Sequence, residues 1–518
     1  MDSLSIILAL GAIAVAAYYY FTREDVFEKH GIPRSKGVPI FGSTWKVFLQ
    51  RATFVDVVKE TYNTNKDAKY IVFYDFSFPT IVIRDIELIK SISVKNFDHF
   101  VNHRTFLLDK TDSLFSKNLF FLKDEKWKEV RNTMSPVFTS SKLKTMFGLM
   151  NDCAKKYGEN LTSLPETDQT ELELKDVFSR YATDIIATCA FGIDIDSMKD
   201  ENNEFYTCGK SLNNLDMNKL IKFFIIRNLP WLSNLLNLRI VESKIEKFFI
   251  DMIDNNIKTR EERGINRPDV IQTMMESRKK LGPGKSMTTA DITAQGFIFF
   301  LAGFDPVATT MSFAAYELGV NQEIQKKLQE EIDRVLLEHG DVTYDALMGM
   351  EYLDAVVNET TRMYPVQPFT DRICSERFEL PPALPGAKPF VVKKGDCVQF
   401  PIYGIQRDEK YFKNPDKFDP NRFLGQAKKD LDPNSLLTFG LGPRMCIGNR
   451  FALLEVKVLL FHVFARCNII PCPKTTIPLV FDKTKMNFMP INGFWFEIQP
   501  RKETAQVYEY VKVMSHVY

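Results

Sequence analysis

The spacing of apolar residues changes character several times along the chain. Residues 4–21 (LSIILALGAIAVAAYYYF) are uncharged and just long enough to cross a bilayer as a helix. Residues 68–84 (AKYIVFYDFSFPTIVIR) are rich in β-branched and aromatic side chains, which predicts a hairpin turning near Ser77–Pro79. From about 118 to 340 the pattern is mostly helical, with long helices expected over 174–192, 240–262 and 288–313. Residues 365–401 mix Pro, Gly and short Val/Phe runs and predict small strands and turns. A polar meander follows over 408–423, then a helix over 449–467 and strands near 488–498. No repeat interrupts this order. The pattern predicts a mainly α fold with a small β subdomain, in one body without a flexible internal linker.

One expected helix differs from the rest. Residues 297–313 (FIFFLAGFDPVATTMSF) are apolar around most of the circumference, so this segment should be buried. Gly303 and Asp305 interrupt the apolar run. An acid in such a helix is either functional or a paired structural group. The small residues Ala302 and Gly303 would let something flat approach closely.

Composition narrows the class without deciding it. The chain has 518 residues, 45% hydrophobic and 26% charged, which is a globular balance. A net charge of +1 gives no electrostatic reason to expect nucleic acid as a partner. The eight cysteines form no CxxC pair and no disulfide framework, so free thiols in a reducing compartment are expected. The 43 Phe suit a large core and an aromatic-lined pocket.

At the N-terminus Tyr18, Tyr19 and Tyr20 end the apolar stretch as interfacial aromatics do. Arg23, Lys29, Arg34 and Lys36 follow it while only Asp2 precedes it, which places the body in the cytosol. A cleaved signal peptide is the rival, but it would want a basic leading region. The expected organisation is a membrane anchor over 1–22, a linker over 23–42 holding GIPRSKGVPIFG, and the globular body over 43–518.

Residues 439–448 (FGLGPRMCIG) fit F-x-x-G-x-R-x-C-x-G at every fixed position. A chance match of five such positions in a chain this long is on the order of 10⁻⁴. The chemistry that needs this set is thiolate ligation of haem iron. A thiolate pushes electron density into iron and favours O–O cleavage, which assigns Cys446 as axial ligand. Gly442 and Gly448 would let the backbone curl close to the sulfur, with their amides hydrogen-bonding it. Arg444 would pair with a haem propionate and Phe439 would shield the iron–sulfur bond.

Three further sets gain meaning beside that motif. Glu359 and Arg362 are spaced i,i+3 and face one way on a helix; with Arg422 they would form a buried structural triad fixing the meander. Trp127 and Arg131, at i,i+4, become propionate donors through an indole N–H and a guanidinium. Arg372 is another such candidate, with His103 and Arg104 weaker ones.

These segments occur in the order and spacing of a cytochrome P450, and the resemblance covers about residues 31–500. The phrase WKEVRNTMSPVFTSSKLK (127–144) resembles the clan holding vertebrate family 3 and insect families 6 and 9. The phrase RFELPPALPGAKPFVVKKGDCVQFPIYGIQRD (377–408) is most similar to insect family 9. The resemblance implies the cytochrome P450 fold behind a single N-terminal transmembrane helix, with haem b as cofactor. It implies a haem-thiolate monooxygenase on the endoplasmic reticulum membrane, drawing electrons from NADPH through cytochrome P450 reductase, with cytochrome b5 a second candidate partner. Substrates would be apolar small molecules such as xenobiotics, plant compounds or insecticides. Lys126, Lys128, Lys142, Lys428 and Lys429 would receive the reductase.

Two positions depart from the family pattern. Gln406 stands where His is usual, a minor change. Pro306 stands where the family has a Thr that organises proton delivery to bound dioxygen. Pro offers no hydroxyl and no N–H. Asp305, Thr309 and Thr310 are left as the candidates for that work. By alignment with the clan, Phe106 and Phe115 would line the substrate pocket, together with Phe297, Ile298, Leu301 and Ala302 of the long helix. Val366, Gln367 and Phe369 would add to it after the E-x-x-R, with Phe488 and Met489 near the end. For each of these, core packing is an equally good reading. Residues 223–232 (FFIIRNLPWL) would dip into the membrane. Two other readings stand beside the monooxygenase: a P450-type isomerase or dehydratase needing no reductase, which Pro306 favours slightly, and a non-catalytic haem protein binding apolar ligands.

Overall fold

The computed structural model describes residues 26–38, 41–76, 78–105, 113–213, 217–267, 269–280, 287–485 and 488–502. The expected anchor over 1–22 and Phe106 lie outside them. The body expected over 43–518 divides into two compact units. Of the described residues, the first comprises those up to Arg104 with Gln367–Asp408 and Gly440–Arg444; the second comprises those of Thr105–Val366, Glu409–Phe439 and from Met445 on.

The first unit is built on a four-stranded sheet. Tyr70–Asp75 and Phe78–Ile83 form the expected hairpin, antiparallel with Tyr70 opposite Ile83. The turn comes earlier than expected: Phe76 takes a φ of +55°, and Pro79 already pairs with Tyr74 in the second strand. Phe78–Ile83 then runs parallel to Cys397–Phe400, which pairs antiparallel with Thr370–Ile373. Ile71, Phe73, Val82 and Val57 pack into its core. Burial on both faces explains why these strands read as continuous apolar runs.

The second unit is helical. Its main helices are α1 (Asp124–Met134), α2 (Ser140–Thr162), α3 (Leu174–Ile186), α4 (Glu204–Asn213), α5 (Ser243–Arg263), α6 (Thr289–Val320), α7 (Gln322–His339), α8 (Glu351–Met363) and α9 (Asn449–Arg466). A small sheet joins Leu172–Glu173, Trp495–Pro500 and Cys467–Pro471. The strand expected from 488 begins only at Trp495, because Asn492 and a positive-φ Gly493 turn the chain just before it.

Helix α6 organises the unit. It starts at a capping box in which Thr288 Oγ1 accepts from the Asp291 N–H at 3.1 Å. It is long and apolar enough to cross a membrane, but its apolar faces are packed inside the protein. Phe297, Phe300, Ala308, Met311 and Phe313 are fully buried. It passes through Pro306 as continuous helix and ends seven residues later than expected, at Val320. The expected freedom at Gly303 also has a packing use. A Cβ there would lie 2.8 Å from Ile186 Cδ1, so the glycine makes room for α3.

Candidate active site

The cysteine motif forms a closed loop leading into α9. The Cys446 N–H donates to the Phe439 carbonyl oxygen at 2.8 Å. Gly448 is the N-cap of α9, and its N–H donates to the Cys446 sulfur. Arg131, one turn after the buried Trp127 on α1, donates from Nη2 to the Met445 carbonyl at 2.9 Å. All eight cysteines are free thiols, and Cys446 is the one that is exposed. Its side chain reaches solvent on one side while protein crowds the other. Crowding pushes the thiol pKa up; the Gly448 amide and the Arg131 charge pull it back toward thiolate. Burial in turn lowers the Arg131 pKa, and the neighbouring Cys446 raises it.

In the first unit Gly442 has a φ of +73°, and a Cβ there would meet the Ser93 carbonyl oxygen. This glycine lets the backbone pack closely on residues 91–95. Arg444 is buried and donates from Nε to the Val101 carbonyl at 2.8 Å. Arg372 is 1% exposed, and burial lowers its pKa to about 10. Its Nη1 donates to the Asp371 carbonyl at 2.6 Å, while its buried Nε has no acceptor among the described residues. His103 sits 2.9 Å from Asp371, its pKa lowered to about 4 by burial and then by the Arg372 charge. Arg104 is taken by Asp75 at 3.0 Å and lies over the Phe78 ring, so this weaker candidate has another role.

The structural triad forms as expected. Arg362 Nε and Nη2 grip the two Glu359 oxygens at 2.6 and 2.9 Å, with both side chains fully buried. Arg422 Nε donates to the same carboxylate at 3.2 Å, and the Asp419 N–H does so at 2.8 Å. Arg422 also donates to the carbonyls of Lys413 and Asn414, which ties down the meander.

On α6 the structure shows a residue that motif reading missed. Lys175, at the start of α3, places its ammonium 2.8 Å from Asp305 Oδ1, 2.8 Å from Thr309 Oγ1 and 3.1 Å from the Asp305 carbonyl. The only sequence signal is a Lys in the apolar pattern LKDVFSRYATDII, which a buried helix face tolerates only with a partner. Thr310 points its hydroxyl back to the Pro306 carbonyl at 2.9 Å. Ala302 is exposed in an otherwise packed segment.

The cytochrome P450 family matches residues 33–496 of this sequence. The chain belongs to the cytochrome P450 family. It is similar to cytochrome P450 9e2 of Blattella germanica, 39% identical across 95% of this chain and 97% of that one. Probable cytochrome P450 9f2 of Drosophila melanogaster is 38% identical over 95% of this chain and 99% of its own. Cytochrome P450 6j1 of Blattella germanica is 32% identical over 95% of this chain and 97% of its own. This P450 is therefore a monooxygenase with haem b as cofactor, related to insect families 9 and 6. The side chains suit that group: an accessible thiol with a backing amide fits an iron ligand, and a buried guanidinium with an uncommitted Nε–H fits a carboxylate such as a propionate.

The residues aligned with the P450 substrate pocket fall into two classes. Phe297 is fully buried, edge-on to Phe115 and to Phe249, both at 5.3 Å. Phe488 is buried among Phe313, Tyr364 and Phe481. Packing claims these two for the core. Ile298, Leu301, Val366 and Met489 are half-buried, and Gln367 is exposed. Phe369, in the first unit, packs on Phe54 at 5.3 Å.

Proposed function

We propose that this P450 oxidises apolar small molecules with electrons drawn from NADPH through cytochrome P450 reductase, and that Cys446 is the axial thiolate. The observation that carries this reading is that the one exposed thiol of eight is also the one backed by a helix N-cap amide and an arginine. Bound haem supplies reductive activation of dioxygen, with one oxygen atom passing to the substrate and the other leaving as water. The Gly448 amide and Arg131 hold the sulfur and its loop. Trp127 and Arg131, with Arg372 and Arg444 of the first unit, are the propionate partners in this reading. The half-buried Ile298 and Leu301 with exposed Ala302 present an apolar face to substrate.

Residues 1–22 act as the anchor to the endoplasmic reticulum in this reading, with 23–42 as linker. Helices Met217–Asn228 and Pro230–Leu235 support a second membrane contact, since Trp231 is 66% and Leu235 74% exposed. The reductase surface narrows to fewer lysines. Lys126, Lys128 and Lys428 are paired with Glu129, Glu125 and Asp354, whereas Lys142 and Lys429 have no ion pair among the described residues.

The test is reconstitution with reductase, NADPH and a panel of apolar substrates, read by mass spectrometry. Oxygenated product that requires both NADPH and reductase supports the reading. Pro306 favours one rival, a rearranging or dehydrating P450; product formed with neither NADPH nor reductase would establish that rival instead.

A further inference from the structure

We propose that Lys175 is a positioning residue for proton delivery in this enzyme, selecting Thr309 as the donor hydroxyl in place of the one that Pro306 removes. The inference deepens the monooxygenase reading and rests on it.

An ammonium has three hydrogens and no lone pair. Lys175 spends them on the Asp305 carbonyl, Asp305 Oδ1 and Thr309 Oγ1. Only 9% of the residue is exposed, so this geometry is fixed by packing as well as by charge. A helical threonine ordinarily returns its hydrogen to the carbonyl four residues back. Thr310 does so, to Pro306, and Ser312 does so, to Ala308 at 2.7 Å. For Thr309 that carbonyl is Asp305's. Its two lone pairs already face the Thr309 N–H of the helix ladder and the Lys175 ammonium. Thr309 Oγ1 therefore accepts from Lys175 and keeps its own hydrogen uncommitted within the helix. Lys175 also holds the Asp305 carboxylate one turn away, so it fixes the acid and the alcohol together.

A lysine that merely pinned α3 to α6 would affect stability alone. A positioning lysine makes Thr309 important only while Lys175 is present. The test is a double-mutant cycle with Lys175→Met and Thr309→Val in the full-length holoenzyme, with the carbon monoxide spectrum used to count intact sites. Product, peroxide and NADPH are measured together, and hydrogen exchange of residues 302–311 is followed in the resting enzyme. Each single change should lower product per NADPH about tenfold, the scale of misplacing a reacting group, and the double change should lower it no further. Exchange around Asp305–Thr309 should rise about tenfold in Lys175→Met. Lys175→Arg keeps the charge with a different reach; it should fold and retain part of the coupling, and carries the test if Lys175→Met does not fold. Unchanged product per NADPH in Lys175→Met, or independent losses that multiply in the double variant, would overturn the proposal. Absence of NADPH-dependent product from the wild type would sink the monooxygenase reading instead, and the exchange measurement would then still decide whether Lys175 holds this segment.

Discussion

Thr310 donates its hydroxyl hydrogen to the Pro306 carbonyl oxygen, one turn back along the same helix, at 2.9 Å. The one hydroxyl hydrogen is thereby spent within α6. Thr310→Val, which keeps the shape and removes the hydroxyl, should leave product per NADPH nearly unchanged. Its cost should be limited to stability, about 1 kcal/mol for one net hydrogen bond, read by thermal or urea unfolding. A collapse of coupling in this variant would move the donor role from Thr309 to Thr310.

Pro306→Thr should raise the coupled fraction. Pro306 removes both a hydroxyl and the N–H that would reach the Ala302 carbonyl. Restoring Thr should lower peroxide released per NADPH and raise thermal stability, by less than the interior proline penalty of about 3 kcal/mol because the native helix already accommodates the ring. Simultaneous assay of NADPH, peroxide and product checks it. Tight coupling in the wild type with no change in the variant would show that the 306 hydroxyl is dispensable here.

The two kinds of site residue differed in how far the sequence revealed them. Cys446, Gly448, Glu359 and Arg362 could be read because their partners lie within a few positions, and a local backbone forces the contact. Arg422 was legible only through a second motif. Lys175 meets Asp305 and Thr309 across 130 and 134 positions, and no local pattern encodes a pairing of that range. The neighbours of Gly303 and Gly442, Ile186 and Ser93, were hidden for the same reason: a missing Cβ announces a close approach but not what approaches. Burial of its apolar faces keeps α6 continuous through Pro306.

Glu359→Gln and Arg362→Met should each be severely destabilising. Each removes one charge of a fully buried ion pair, and breaking such a pair costs about 3–5 kcal/mol; in Arg362→Met the Glu359 carboxylate keeps only Arg422 and the Asp419 N–H. The expected outcome is low haem content per protein and a lowered urea midpoint. A stable, fully haem-loaded Arg362→Met would show that the meander is held by other contacts.

Glu455 gives a pH prediction of definite sign. It is fully buried in α9, neither carboxyl oxygen has a partner among the described residues, and burial holds its pKa well above the ordinary carboxyl value. The folded state keeps the proton while the unfolded chain releases it above about pH 4.3. This residue's contribution is full below that pH and falls as pH rises, by about 1.4 kcal/mol per unit, until the folded pKa is passed. Glu455→Gln should remove that decline, so its advantage over wild type should grow between about pH 4.3 and neutrality. Parallel pH–stability curves for the two proteins would contradict a protonated Glu455.

The measurement that bears most directly on the account is the absorption spectrum of the reduced protein under carbon monoxide. With Cys446 as the axial thiolate, the wild type should show the strongly red-shifted Soret band of a thiolate-ligated haem, and Cys446→Ser should lose it. A wild-type band like that of an imidazole-ligated haem, or a thiolate-type band that survives Cys446→Ser, would contradict the assignment.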